Sequence, residues 1–321
     1  MRILVCGASG FIGRNVFETF SEKRSIELIG TCFNDRFSND MRLVDIDLTK
    51  RENALDITTN MDLVIHAAAV TGGMDAVKEK PERFIADNVL MNTNLIEAAY
   101  RNKVPHFIFL SCTVMYPDST RPLREEEFDL RKIHPSYFPL ANLKVFAEDL
   151  CLFYSSRGET RYTVLRPSSV YGPYDKFSLE TGHILDATIA RVINSQGENI
   201  PIRTENATRD FLHVYDLVRL IEMVTRNRAE GYRFSIFNAA SGVSTSIREL
   251  TEKIVKISGK DLKVVYDSSK TGIDSKTSLD IRQAAQCFGW KSRIDLDKGL
   301  RHTIDWYQRH LKNSRGKKDG R

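Results

Sequence analysis

Apolar residues fall in two rhythms along the chain. Through the first half, short apolar runs recur at ILVC (3–6), IELIGTC (26–32), LVDID (43–47), DLVIHAA (62–68), HFIFLSC (106–112) and YTVLR (162–166). Helix-length stretches separate them, clearest in ADNVLMNTNLIEAAYRN and LKVFAEDLCLFYSSR, where apolar positions return at helical spacing. Such alternation predicts right-handed βαβ units and a Rossmann-type, doubly wound parallel sheet of the α/β class, covered on both faces. Beyond Arg166 the rhythm loosens. PSSVYGPYDKF is rich in turn formers, and FSIFNAA and IRELTEKIVKIS supply later, irregularly spaced elements. The expected organisation is a dinucleotide-binding core over 1–165 with returning segments near 205–240. A smaller, interleaved substrate lobe takes most of 166–321.

Composition narrows this picture in a few places. With 41% hydrophobic residues there is material for a core, and disorder is not expected. Much of the formal charge of +5 sits in KNSRGKKDGR at the end, which reads as a solvated tail and not a nucleic-acid arm. No run reaches the roughly 18 apolar residues of a membrane span. The opening MRILVCGASG has no apolar leader. Five scattered cysteines form no CxxC pair and no metal-like spacing with histidine, which fits a reducing cytoplasm and no metal site.

The first run ends in GASGFIG, placing Gly7, Gly10 and Gly13 between a strand and the helix RNVFETF. The first glycine permits a tight turn, the second lets a pyrophosphate approach the backbone, and the third lets helix and strand pack closely. The helix N-terminus adds amide donors and partial positive charge. A NAD site usually ends its second strand with an acid for the ribose 2′-hydroxyl. Here TCFNDRF puts Cys32 at that place, followed by Asn34 and Arg36, with Arg14 just past the last glycine. The arginine pair suits a 2′-phosphate, so NADP is favoured over NAD, while Asp35 keeps NAD open.

Several stretches together carry a resemblance: GASGFIG, DIDL (45–48), HAAA (66–69), NVLMNTNLIEAA (88–99), RPSSVYGP (166–173) and RDFLHVYDL (209–217). The chain resembles the extended short-chain dehydrogenase/reductases of the NAD-dependent epimerase/dehydratase family. Within it the likeness is to the GDP-L-fucose synthase-like epimerase-reductases of 4-keto-6-deoxy sugars, through SCTVMYPD, YGPYDKFSLETGHILDATIARV and DSSKTGIDSKTSLD. The resemblance implies that Asp47 and Leu48 flank the adenine and that Ala67, Ala68 and Ala69 line the cofactor cleft. Ser9, Phe11, Ile12, Asn88, Ser111, Pro167 and Val170 complete it. Lys144 would hydrogen-bond the nicotinamide ribose, and His183 matches the general acid of epimerisation. Arg191, Arg209 and Lys276 fall where cations hold the nucleotide diphosphate, with Thr113 and Ser169 on the sugar side. Guanidinium forks bind phosphate oxygens bidentately, so that set is chemically apt. The resemblance also implies a homodimer paired through helices around 85–101 and 140–157.

The residues that carry the chemistry depart from the family pattern. Its tyrosine lies four residues before its lysine, on one helix face, where the ammonium lowers the phenol's pKa. This chain has Leu140 there. Cys112 replaces the usual serine or threonine, Val114 the epimerising cysteine, and Ser169 an asparagine. Candidate substitutes are Tyr137, just ahead of a helix begun at Pro139, the Cys112 thiol, and His183; Thr113 and Tyr116 add nearby hydroxyls. His66 reads as a satisfied strand-end residue and REEEFDLRK as a charged surface loop.

The expected function is an NAD(P)-dependent oxidoreductase or epimerase acting on a nucleotide diphosphate sugar, a 4-keto-6-deoxy hexose or relative, through an altered proton relay. The alternative is a cofactor-binding sensor or partner protein that has lost catalysis.

Overall fold

The structure, a computed structural model, describes residues 1–33, 40–71, 81–179, 182–204, 207–226, 232–267 and 274–316. Asn34 and Arg36, expected at the cofactor's ribose, lie outside the described residues. Seven parallel strands form the main sheet: β1 (Arg2–Cys6), β2 (Glu27–Cys32), β3 (Leu43–Asp45), β4 (Leu63–His66), β5 (His106–Leu110), β6 (Arg161–Pro167) and β10 (Phe234–Ala239). Their order is β3-β2-β1-β4-β5-β6-β10. All six runs of the first half are strands of this sheet, and FSIFNAA adds the seventh beside β6 in parallel register, Phe234 opposite Tyr162.

Period-two alternation explains the two buried faces. In β1, Ile3 and Val5 point into one apolar cluster with Val16, Phe17 and Phe20 of helix α1 (Phe11–Ser21) and Leu217 and Ile221 of α6 (Val214–Arg226). Leu4 and Cys6 point the other way, toward α3 (Ala86–Arg101) and α4 (Phe138–Ser155), where Leu95, Ala98, Ala147 and Cys151 pack. Burial of both faces is why these strands read as continuous apolar runs. α2 (Arg51–Ile57) packs beside α3.

A smaller lobe grows from the C-terminal ends of the sheet. β7 (Ser169–Tyr171), β9 (Thr208–His213) and β11 (Ser244–Ser246) make a three-stranded sheet, and β8 (Asn199–Ile202) pairs with β12 (Lys263–Tyr266). α5 (Ile184–Asn194), α7 (Ile247–Ser258) and α9 (Leu296–Gly316) close around Tyr171, Leu185, Ile189, Phe211, Leu250, Ile254 and Leu300. α8 (Arg282–Phe288) packs on β10. No helix of the described residues is long and apolar enough to cross a membrane.

Candidate active site

The strand order reverses direction between β1 and β4, and the crevice outside the carboxyl ends of those strands is where such sheets take ligands. Gly7 ends β1 with φ of +78°, and a Cβ on it would lie 2.7 Å from the Cα of Ala68. A Cβ on Gly13 would sit 2.0 Å from the Gly7 carbonyl oxygen. Only glycine fits at either place. The turn is tied to β2 by the Gly7 N–H donating to Thr31 Oγ1 at 3.0 Å and Ala8 N–H to the Thr31 carbonyl at 2.7 Å. No side chain caps α1 at Gly10, so its first-turn amides are left for an anion. A backbone cradle that a single methyl would fill, with an uncapped helix above it, fits a dinucleotide's pyrophosphate.

Other cofactor-side candidates are held in varied ways. Ala67 and Ala68 press against Gly7, while Ser9 and Ala69 are exposed. Asp47 accepts from the Thr49 amide at 2.9 Å and from its hydroxyl at 2.6 Å, which holds its carboxyl below the usual range, and Leu48 beside it is buried. Asn88 is spent on structure: its amide brackets both backbone groups of Val70, at 3.0 and 2.9 Å, and donates to the Phe84 carbonyl. Arg14 pairs with Glu18 at 3.0 Å and lies 4.1 Å over the ring of Tyr174, a residue with φ of +71°.

A cavity of about 490 Å³ runs from the glycine turn into the small lobe. Phe11, Ile12, Ser111, Pro167 and Val170 line one part; Cys112, Thr113, Val114, Tyr137, Leu140, Ser169 and His183 line the middle. Arg191 of α5, Arg209 of β9 and Arg203 after β8 line it as well, and Arg209 donates to the Thr208 carbonyl at 2.9 Å and to the Ser275 carbonyl. Burial, reinforced by Arg203, pushes Arg191 below the ordinary arginine range. Arg203 was not expected. Alternation gives no signal for it, because Ile202, Arg203 and Thr204 line the cavity in succession. Alternation does turn Lys276 out. Ser275 and Thr277 line the cavity, while Lys276 between them is exposed and outside the lining.

Lys144 does not line this cavity either. Its ammonium donates to the Leu110 carbonyl at 2.8 Å and lies 4.7 Å over the Phe109 ring. Burial lowers its pKa, opposed by Cys112 and Glu148. Cys112 shares this corner: burial raises its thiol and Lys144 pulls it back. Tyr116 is locked away from proton transfer, donating to Asn238 Oδ1 at 2.7 Å and accepting from Arg166 at 2.8 Å; burial raises it to about 12. Arg166 in turn grips Glu148 through two bonds, one at 3.0 Å, and Glu148 accepts from Ser111. This wholly buried chain braces the floor beneath Cys112.

Tyr137 lies in a 3₁₀ turn (Pro135–Tyr137) that runs straight into α4, with Pro139 in its first turn. Tyr137, Leu140 and Lys144 therefore share one helix face at spacings of three and four. His183 forms the N-cap of α5 and is exposed to the cavity. His66 is less satisfied than expected: its Nε2 meets Asn92 Oδ1 at 2.8 Å, but its buried Nδ1 has no partner among the described residues. The REEEFDLRK loop is not all surface, because Glu125 caps the Asn238 amide at 2.8 Å and burial raises its carboxyl.

Comparison with known proteins agrees with this geometry. The chain is 28% identical to GDP-L-fucose synthase of Escherichia coli (strain K12), covering 98% of this chain and 99% of that one. It is 26% identical to GDP-L-colitose synthase of Yersinia pseudotuberculosis, covering 98% and 100%. Among solved structures it superposes on MoeE5 in complex with UDP-glucose and NAD with a TM-score of 0.82, at 26% identity, covering 97% of this chain and 100% of that one. Residues 3–240 match the model of the NAD dependent epimerase/dehydratase family, and with its glycine cradle at the sheet's switch point the chain belongs to that family.

Proposed function

We propose that this protein is an NAD(P)-dependent oxidoreductase or epimerase of a nucleotide diphosphate sugar, a 4-keto-6-deoxy hexose or close relative. One observation carries the reading: a single cavity joins Phe11 and Ile12, which open α1 after the glycine turn, to Arg191, Arg203 and Arg209 far along the chain. A dinucleotide fits the first part, and the arginines neutralise a sugar nucleotide's diphosphate through bidentate bonds. GDP-L-fucose synthase, GDP-L-colitose synthase and a UDP-glucose complex among the similar proteins support the substrate class.

The cofactor is held by the Gly7–Gly13 turn, the amides of α1 and the Ala67–Ala68 wall. When bound, it supplies or accepts hydride at a sugar carbon. The chain's own residues then handle the proton. Reduction of a ketone adds hydride to carbon and requires one proton on oxygen; oxidation removes both. Tyr137 replaces the absent phenol from the same helix face, one turn before Leu140. Lys144 and Cys112 form the floor beneath, with the ammonium holding the strand end and presenting positive charge. His183 takes or returns a proton at a carbon beside the ketone. NADP is favoured by Arg14 with Arg36.

A sensor that has lost catalysis gains no support from an open cavity carrying three cations. We also place a homodimer contact on α3 and α4, whose outer faces expose Leu90, Phe138, Phe146, Leu152 and Phe153. Phe146→Glu should convert a dimer to monomer in light scattering; an unchanged mass removes that face from consideration.

The functional test mixes the purified protein with GDP-, dTDP-, UDP- and CDP-4-keto-6-deoxy sugars and NADPH, following absorbance and product mass. Turnover with one of them is expected, and Lys144→Met should abolish it. Tight cofactor binding with no turnover on any sugar would overturn the reading.

A further inference from the structure

His134 lines the same cavity as Tyr137, Leu140 and Cys112. It caps the 3₁₀ turn that leads into α4, and its Nδ1 accepts the Ser136 N–H at 3.2 Å. That bond requires a bare Nδ1, so the ring proton resides on Nε2. Nε2 has no hydrogen-bond partner among the described residues, and the ring meets Tyr137 edge-on with centroids 6.0 Å apart. The imidazole, exposed at the cavity, is thus oriented by a backbone bond on one edge and offers an N–H donor on the other.

We infer that His134 is a substrate-contacting residue whose Nε2–H donates a hydrogen bond to a sugar oxygen, the one that gains negative charge as hydride is added. The inference rests on the nucleotide-sugar reading and deepens it. With Leu140 at the usual place of the phenol, Tyr137 gives the proton from one turn away, and His134 on the same cavity wall supplies a second donor to the oxygen. A donor already directed at developing charge needs no reorganisation and transfers no proton itself. His134 therefore polarises the oxygen, and the proton comes from another group of the site. A capping bond that kept Nδ1 protonated would have made the ring an acceptor; the observed one makes it a donor.

The test uses the full chain with GDP-, dTDP- and UDP-4-keto-6-deoxy hexoses. In protein carrying ¹⁵N-labelled histidine, the His134 signal, identified by its loss in His134→Phe, should move when a binding sugar nucleotide is added. The matching nucleoside diphosphate, which lacks the sugar, should leave it in place. His134→Phe should lower kcat about 10²-fold, as removal of one such donor does elsewhere. His134→Gln, which keeps an N–H, should recover part of that loss, and both variants should bind the nucleoside diphosphate as the wild type does. A sugar nucleotide that binds by calorimetry without moving the His134 signal overturns this inference alone. Failure of every sugar nucleotide to bind overturns the functional reading and His134's role with it.

Discussion

Around Gly7 and Gly13 the protein offers backbone; around Leu140 it offers side chains. At the glycine turn the geometry tolerates no other residue, because an added Cβ would meet the Gly7 carbonyl or Ala68. At the start of α4 one helix face carries Tyr137, Leu140 and Lys144, so a phenol displaced by one turn, as proposed for Tyr137, keeps the same direction. Chemistry held by backbone is locked by sterics. Chemistry held by side chains on a regular helix can shift by a turn and still reach the same cavity.

The largest effect should come from the backbone end. Gly13→Ala forces a methyl to 2.0 Å from a carbonyl oxygen, so dinucleotide binding should fall more than about 100-fold, with a lower melting temperature. Wild-type affinity in calorimetry would break the comparison. Next is the buried brace under the side-chain end. Glu148→Ala leaves Arg166, 1% exposed, without its counter-charge and should cost about 3–5 kcal/mol in denaturant unfolding.

The helix face is tested by moving the phenol back. Tyr137→Phe should lower kcat about 10²-fold or more, within the range for a lost general acid. Adding Leu140→Tyr to that variant should restore most of the rate. If Tyr137→Phe leaves kcat unchanged, the one-turn displacement is wrong.

The smallest effects concern pH. Burial holds His66 at about 3, His106 at about 3 and His213 at about 4, aided by Lys144, Arg161 and His302 respectively. Unfolded, each protonates near pH 6.5. Unfolding therefore takes up protons below that pH, and stability should decline as pH falls from about 6.5 toward 3. Asp186, fully buried at the start of α5, acts in the opposite sense. Burial and the facing Asp175 raise its carboxyl well above the ordinary range, so the fold keeps a proton that the unfolded chain loses near pH 3.9. Its contribution is present at low pH and lost as pH rises, so Asp186→Asn should raise the melting temperature more at pH 8 than at pH 5. An equal shift at both would remove the acid pair from the account.

What the sequence disclosed follows the same division. Strands buried on both faces announce themselves as apolar runs, and the glycine turn follows the first of them. That β10 lies beside β6 is a tertiary pairing, which periodicity does not encode. The outward turn of Lys276 was within reach of period-two reasoning. His134 was not: it stands in IHPSY, where turn formers mask that a cavity wall begins. Asp186 carried no signal in the sequence, because the facing Asp175 lies eleven positions earlier.

The most direct measurement follows the hydride itself. NADPH carrying deuterium at the reactive C4 position is incubated with the protein and the GDP-, dTDP- and UDP-4-keto-6-deoxy hexoses, and each sugar is examined by mass spectrometry and NMR. The account predicts one deuterium on the former keto carbon of at least one sugar. Retention of all the deuterium in the dinucleotide, with both ligands bound, would contradict it.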